Sequence, residues 1–291
     1  MSAPSSLVEA TPRVTATRRT ALTPKQKYRR RQLVVNALRI ALAVIIVGGW
    51  EWGARTKFID PFFYGQPSGI AKQLWTWQRD GTSQGPLWKQ VVVTLEETVL
   101  GFLAGVIGGV ICGVILGTNR LLADVFSPYI KAFNSIPRVV LGAIFTIAFG
   151  LGMTSKVALA FVLVFFVVFF NAFQGVREVD QNLISNARIL GAGQQRVTRE
   201  VIIPSALSWI LASLHTSFGF ALVGAVVGEF LGSTEGMGSL IQVATQSFNA
   251  NGVFAAMVLL AVVALIAEAL VTRLENRLIR WRPTPVSDIT I

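Results

Sequence analysis

Few side chains in this sequence are suited to covalent or acid–base catalysis. The chain has one histidine, His215, and one cysteine, Cys112, which lies in an apolar run. It contains no G-x-x-x-x-G-K-[ST] phosphate loop, no nucleophile elbow and no His-x-x-x-His pair. The sequence therefore predicts that this chain does not hydrolyse ATP and holds no metal or thiol centre, and a membrane-embedded enzyme would lack its catalytic residues.

Ionisable residues inside apolar runs form a second group, because a charge at the centre of a bilayer costs at least ~2.5 kcal/mol. Glu229 suits either a buried ion pair or polar network or a solute pathway. Lys131 and Arg138 can draw an anion to the inner mouth or extend to the headgroups as topology residues. His215 suits a hydrogen-bonded interhelical histidine better than a ligand site. The candidate pathway residues are Glu229, His215, Asn171 and Arg138.

Composition places these residues in a membrane. The chain is 53% hydrophobic and 14% charged, whereas soluble domains have about 25% charged residues. The net charge is +11, but the basic residues cluster at the two ends. They indicate cytoplasmic topology signals rather than a nucleic-acid surface.

Apolar runs of about 20 residues predict an all-α membrane protein with about six spans and both termini in the cytoplasm. The runs cover residues 33–52, 91–117, 125–150, 155–173, 207–231 and 253–271. Residues 1–32 form a basic tail that we expect to be disordered, 33–282 the transmembrane domain and 283–291 a short C-terminal tail. Glu96 and Glu97 open the second run and are predicted to be interfacial. Residues 55–90 are expected outside, with Trp75, Trp77 and Trp88 at the membrane interface.

One face of the second run is built from glycine. Glycine recurs at every fourth position, at Gly101, Gly105, Gly109, Gly113 and Gly117. This spacing predicts close approach of a neighbouring helix. The neighbour is either a helix of the same subunit or one of a second subunit.

A polar segment at 180–204 interrupts the apolar second half. Asp180 is a favourable N-cap, and Gly191 is a favourable helix stop. The residues expected on one apolar face are Leu183, Ile184, Ala187 and Leu190. Val201 and Ile203 follow, and Pro204 can open the next helix. The segment suits docking into a groove of a soluble partner, and the alternative is an ordinary interhelical loop.

The same segment resembles the cytoplasmic "EAA" loop of permeases in binding-protein-dependent ABC importers. That pattern is Glu-Ala-Ala, three residues, Gly, nine residues and Ile-x-Leu-Pro. Its positions are occupied here by Ser185, Asn186, Ala187, Gly191, Val201, Ile203 and Pro204. The spacing is intact, but Ser185 and Asn186 replace the usual Glu and first Ala. Shorter matches, such as Ile136-Pro137, Gly236-Met237-Gly238 and Arg280-Trp281, resemble the nitrate, sulfonate and taurine branch of these permeases.

The resemblance implies a type I ABC importer permease in the inner membrane of a bacterium. It implies a second copy of the chain, two ABC ATPase subunits that bind ATP and Mg, and a periplasmic or lipid-anchored solute-binding protein. The loop at 176–204 would couple the permease to the ATPases, with Asp180, Leu183 and Ile184 beside the motif residues. No cofactor is expected in this chain.

Two rival functions remain at this point. An ion-gradient-driven secondary transporter would show more spans or an inverted repeat, and no such repeat is visible. A membrane-embedded enzyme would need the catalytic residues that are missing. The substrate cannot be derived from the residues. The family branch implies a small anion such as a sulfonate, taurine, nitrate or bicarbonate, or an organic acid.

Overall fold

The structure, a computed structural model, describes residues 24–278. Residues 1–23 of the basic tail, Arg280-Trp281 and the tail at 283–291 lie outside the described residues. The prediction of disorder was wrong for residues 24–32 of the tail, which are helical. Within the described residues nearly every element is a helix. Helix α1, Pro24–Arg55, is long and apolar enough to cross a membrane. Most of α1, up to Trp52, forms one compact unit, and the chain from Gly53 onward forms a second.

The described part of the second unit contains eleven further α-helices. They are α2 Pro61–Tyr64, α3 Pro67–Asp80, α4 Leu87–Thr118, α5 Arg120–Ser135, α6 Leu141–Phe149, α7 Met153–Arg177, α8 Gln181–Ile189, α9 Gln194–Val197, α10 Ile203–Leu231, α11 Met237–Gln246 and α12 Ala250–Leu278. A 3₁₀ turn, Arg138–Val140, precedes α6, and a π-helical turn, Thr198–Ile202, precedes α10.

The glycine row of α4 packs against α7. A Cβ atom built on Gly105 would lie 2.6 Å from Val164 Cβ, and one on Gly109 would lie 2.9 Å from the carbonyl oxygen of Phe165. The glycines contact every fourth residue of α7: Ala160, Val164, Val168, Ala172 and Val176. The row therefore serves contact within one subunit, because only glycine lets the two backbones approach so closely.

The order of these contacts fixes the path of the chain. Contacts rise together from Gly101 with Ala160 to Gly117 with Val176, so α4 and α7 are parallel. Two parallel spans require that the residues between them cross back through the membrane. The return is the pair α5 and α6, whose axes bend by 77°. With this bent pair, the described residues contain six segments able to cross a membrane.

The bend in this third span is sharper than the run at 125–150 suggested. Pro128 is accommodated inside α5, whereas the chain leaves the helix before Pro137. The residue before a proline is pushed toward extended backbone, and Ile136 has φ −78° and ψ 129°. The single predicted span is thus two short helices joined by a proline-induced break.

Helix α10 runs antiparallel to α7. A Cβ on Gly224 would lie 2.6 Å from Ala160 Cα, and one on Gly228 would lie 3.0 Å from Lys156 Cγ. Farther along both helices, Gly175 lies against Trp209. Helices α4, α7 and α10 therefore form the packed centre of the second unit.

The segment between the first two spans contains helices that the sequence interpretation did not include. Helices α2 and α3 lie against α12, where Asn251 Oδ1 accepts a hydrogen bond from the Gln66 N–H at 3.0 Å. Trp75 and Trp88 are exposed, as expected of interfacial residues, but Trp77 is buried. The prediction for Trp77 was wrong because α3 has an inner face that packs on the protein.

Candidate functional site

The first half of the polar loop is a short capped helix. The Asp180 Oδ1 accepts a hydrogen bond from the Asn182 N–H at 2.8 Å and caps α8. At the other end Gly191 has φ +84°, a left-handed conformation that side chains other than glycine rarely adopt. The Gly191 N–H donates to Arg188 O at 2.9 Å, and the Ala192 N–H donates to Ala187 O at 3.0 Å. Both sequence-predicted ends of the helix are confirmed.

The apolar face of α8 is divided between two environments. Ile184 is buried, and Ala187 packs beside it against a cluster that includes Val197 and Ile202. In contrast, Leu183 is 51% exposed and Leu190 is 87% exposed. The prediction of one docking stripe was therefore wrong in part: two of its residues fix the helix to the spans, and two face outward.

The outward surface includes one residue that the sequence interpretation missed. Ile189 is 82% exposed and is adjacent to Leu190. Ser185 and Asn186 are exposed on the same helix. We call Leu183, Ser185, Asn186, Ile189 and Leu190 the α8 surface. The sequence Arg188-Ile189-Leu190-Gly191 indicated this exposed surface, because the last helical turn before a glycine with positive φ is open to solvent.

The second half of the loop continues directly into a span. Pro204 lies in the first turn of α10, as predicted, but α10 follows α9 without a break, so residues Gln194–Leu231 form one helical run. The π-helical turn explains the difference: the Ile203 N–H bonds to Thr198 O, five residues back. This wider turn accommodates a proline that has no N–H and whose ring crowds the preceding turn. Ile203 and Pro204 are exposed, and Val201 packs against the buried cluster.

Glu229 lies far from the other predicted pathway residues. Asn171 donates to Val167 O of its own helix at 2.8 Å. The Arg138 guanidinium lies 4.8 Å from the centre of the Phe166 ring and also contacts the Asn134 side chain. His215 is half-buried in α10. Glu229 lies at the opposite end of the bundle, beside Lys156, about 22 Å along α7 from Asn171 by helical rise.

Glu229 belongs to a buried polar network at the end of the bundle remote from α8. Its carboxylate accepts hydrogen bonds from the Thr94 hydroxyl at 2.7 Å and from the Gly238 N–H at 2.6 Å. Thr94 Oγ1 accepts from the Met237 N–H at 2.9 Å, and Gln90 Oε1 accepts from the Gly236 N–H at 2.7 Å. Three successive amides at the start of α11 are therefore capped by side chains of α4 and α10. Of the two interpretations of Glu229, this geometry favours the polar network.

Two charged residues that the sequence interpretation missed lie in the same network. Lys156 is fully buried, and its ammonium donates to the carbonyl groups of Leu151 and Gly152, the latter at 3.1 Å. Glu97 is also buried and lies close enough to interact electrostatically with Lys156 and with Glu229.

The interfacial assignment was therefore wrong for Glu97, whereas Glu96 is exposed. The signal was in the spacing: Glu97 stands four residues before Gly101 and so continues the glycine row. Lys156 likewise stands four residues before Ala160, at the matching place on α7. A charge in that row must face the packed interior.

Comparisons with known proteins agree with this architecture. A model of the family described as "Binding-protein-dependent transport system inner membrane component" matches residues 105–280. The riboflavin transport system permease protein RibX of Chloroflexus aurantiacus is 33% identical over 244 residues, covering 84% of this chain and 89% of that protein. The taurine transport system permease protein TauC of Escherichia coli is 28% identical, covering 84% of this chain and 89% of that protein.

A further relative is the putative aliphatic sulfonates transport permease protein SsuC of Bacillus subtilis, 33% identical, covering 68% of this chain and 72% of that protein. Among solved structures, an inward-facing MetNI methionine ABC transporter superposes with a TM-score of 0.57 at 22% identity. That match covers 67% of this chain and 94% of the MetNI chain and confirms the type I importer fold. The chain therefore belongs to the family of binding-protein-dependent transport system inner membrane components, the permease subunits of ABC importers.

Proposed function

We propose that this permease forms the translocation pathway of an ATP-driven importer and is coupled to separate ATPase subunits through residues 180–204. The α8 surface carries the proposal. It is a solvent-facing patch with three exposed apolar side chains, Leu183, Ile189 and Leu190, on a helix capped at both ends and fixed to the spans by Ile184. A rigid helix with exposed apolar anchors fits a groove on a soluble partner.

The proposed assembly contains two copies of this chain and two ABC ATPases, because each chain offers one coupling loop. ATP and Mg bind to the ATPases, and this chain needs no cofactor. A periplasmic or lipid-anchored solute-binding protein delivers solute to the outer end of the bundle in the bacterial inner membrane. Closure of the ATPase pair displaces the α8 surface and rocks α4, α7 and α10, which opens the pathway to each side in turn.

A pair of glycine variants in one loop tests the coupling. At Gly191, φ is +84° and a Cβ atom would meet nothing within 4 Å, so Gly191→Val acts through backbone strain of about 1–2 kcal/mol. Gly193 is equally open but has an ordinary φ of −69°. We expect Gly191→Val to lose ATPase co-purification and solute uptake at normal membrane abundance, and Gly193→Val to keep both. Full uptake by Gly191→Val would contradict the coupling proposal.

The proposed orientation places α8 and both termini in the cytoplasm. Ser83 is exposed between α3 and α4 and is suited to cysteine labelling. The neighbouring Gln84 is less suited, because its Nε2 donates a hydrogen bond to Ser239 Oγ at 2.7 Å. In a variant without Cys112, Ser83→Cys should react with an impermeant reagent added to intact cells. Gln194→Cys should react only after lysis. Labelling of Gln194→Cys in intact cells would place the coupling loop on the wrong side of the membrane.

We further propose that the solute is a small anion of the sulfonate, taurine, nitrate, bicarbonate or organic acid type. The relatives named for aliphatic sulfonates and taurine support this class. RibX, named for riboflavin, is the relative that favours a larger planar solute. The deciding measurement is ligand binding by the solute-binding protein encoded beside this chain, followed by uptake of that ligand into vesicles that contain the full importer. Selective uptake of riboflavin and exclusion of taurine would contradict the small-anion assignment.

A further inference from the structure

A cavity of ≈ 330 Å³ lies where α8 and α9 meet the ends of α4, α5 and α7. Three arginines from three different helices line it: Arg120 at the start of α5, Arg177 at the end of α7, and Arg188 on α8. Gln181 and Gln194 contribute neutral amide groups. Among residues 24–278, no carboxylate lines this cavity.

None of these arginines forms an ion pair within the described part of the chain. Arg188 donates to Gln194 Oε1 at 3.0 Å, and the Arg177 guanidinium lies 5.0 Å from the centre of the Phe173 ring. Amide and aromatic contacts orient a guanidinium but do not neutralise it. The cavity is therefore a preformed electropositive site.

The position of the cavity along the bundle indicates the chemistry of its ligand. The candidate span in α4 ends at Thr118 and that in α7 ends at Arg177. A bilayer matched to these spans would place the cavity where hydrocarbon gives way to lipid headgroups. Basic pockets between helices at this level bind anionic headgroups. Arginines that serve topology alone have no need to converge from three helices onto one cavity.

We propose that this cavity binds a phosphate-bearing anion, supplied by an anionic lipid headgroup or by free phosphate, and that the bound anion fixes α8 to the ends of the spans. Guanidinium groups donate paired N–H groups to phosphate oxygens, and this charge-assisted geometry is stronger than a neutral hydrogen bond. Ile184 connects the two roles of α8, because it lines the cavity and also holds the helix against the buried cluster.

The test uses the purified full-length chain in lipid nanodiscs and phosphatidylglycerol as the probe. One set of discs contains phosphatidylcholine only, and a second set also contains phosphatidylglycerol. Lipid that stays bound is measured by native mass spectrometry, and inorganic phosphate added to the neutral discs forms a third arm. We expect selective retention of phosphatidylglycerol or, if free phosphate is the ligand, retained phosphate in the third arm.

Substitution of each lining arginine should weaken this binding by roughly tenfold, since each loses a charge-assisted contact. Arg120→Gln and Arg188→Gln are the variants, and Arg188→Gln remains informative if the first does not fold, because Arg188 is exposed on α8. Arg199→Gln is the matched control: it removes an exposed arginine of the same loop that does not line the cavity.

Equal weakening by Arg199→Gln would show diffuse attraction and overturn the proposal, as would equal retention of the two lipids together with no bound phosphate. The measurement needs neither ATPase nor solute. Its failure therefore leaves the coupling proposal standing, and failure of Gly191→Val leaves this one standing.

Discussion

The two ends of the helical bundle are built by different physical means. At the end that holds α11, three consecutive backbone amides are capped by buried side chains, and Lys89 bridges to Glu235 at 2.5 Å across the same loops. At the α8 end, the loop is held mainly by apolar contacts from Ile184 and Ala187. Buried polar bonds specify one arrangement, whereas apolar contacts tolerate displacement. The end that holds α11 is therefore suited to a rigid role, and the α8 end is suited to a coupling element that moves.

The largest expected effect comes from breaking the polar end. Glu229→Ala removes the cap of Gly238, leaves the buried Thr94 hydroxyl without its carboxylate acceptor and removes one of the two carboxylates near Lys156. Loss of one member of a buried charged network costs about 3–5 kcal/mol. We expect the free energy of unfolding in detergent to fall by that order and membrane abundance to drop. Glu229→Gln keeps the shape and an acceptor and should lose less.

Unchanged stability of Glu229→Ala would mean that water already satisfies these groups. The two ends would then not differ in the way proposed above.

Substitution in the glycine row of α4, which packs against α7 between the two ends, should lower stability by an intermediate amount. A Cβ on Gly109 would lie 2.9 Å from both Phe165 O and Val168 Cβ, so Gly109→Ala forces α4 and α7 apart. Overpacking of this kind costs about 1–3 kcal/mol. The neighbouring Gly108 is the control, because its Cβ would lie at an ordinary 3.4 Å from the Phe161 and Phe165 rings. Gly109→Ala should unfold at a lower temperature than Gly108→Ala. Equal midpoints of thermal unfolding would contradict the close packing of the glycine row against α7.

At the α8 end, a surface change should spare stability and remove coupling. Leu190 is 87% exposed, so Leu190→Asp changes no buried contact and should alter the free energy of unfolding by less than about 0.5 kcal/mol. It places a charge on the proposed apolar anchor and should abolish ATPase co-purification. The matched change at the polar end of the bundle, Trp88→Asp, alters an exposed residue far from α8 and should leave co-purification intact. Normal ATPase binding by Leu190→Asp would remove Leu190 from the docking surface.

The smallest effect is expected at Ser185. The side chain is exposed and replaces the carboxylate that the family pattern has at this position. Ser185→Ala should therefore change neither unfolding nor uptake by more than about twofold, since a solvent-exposed hydroxyl contributes little. Uptake by Ser185→Ala and by wild type in the same vesicles provides the measurement. A strong loss would show that the hydroxyl has taken over the polar contact usually made by the family's Glu.

Local backbone chemistry was enough to predict several features from the sequence. Asp180 and Gly191 marked the ends of α8, because capping depends on residue type within a few positions. Apolar length predicted the spans, and the glycine spacing predicted a closely packed face. Family membership also followed from the order and spacing of short motifs.

Only the tertiary structure decided which neighbour each face meets. Periodicity placed Leu183 and Ile184 on one apolar face, yet the spans cover Ile184 and leave Leu183 open. Glu96 and Glu97 are adjacent and chemically equal, yet Glu96 is exposed and Glu97 is buried, because only Glu97 continues the glycine row that faces α7. The run through Pro204 depends on a π-helical turn, whose i−5 hydrogen bond leaves no mark in composition. The sequence of one helix predicts which of its faces is apolar. Whether that face is buried depends on the neighbouring helix that packs against it.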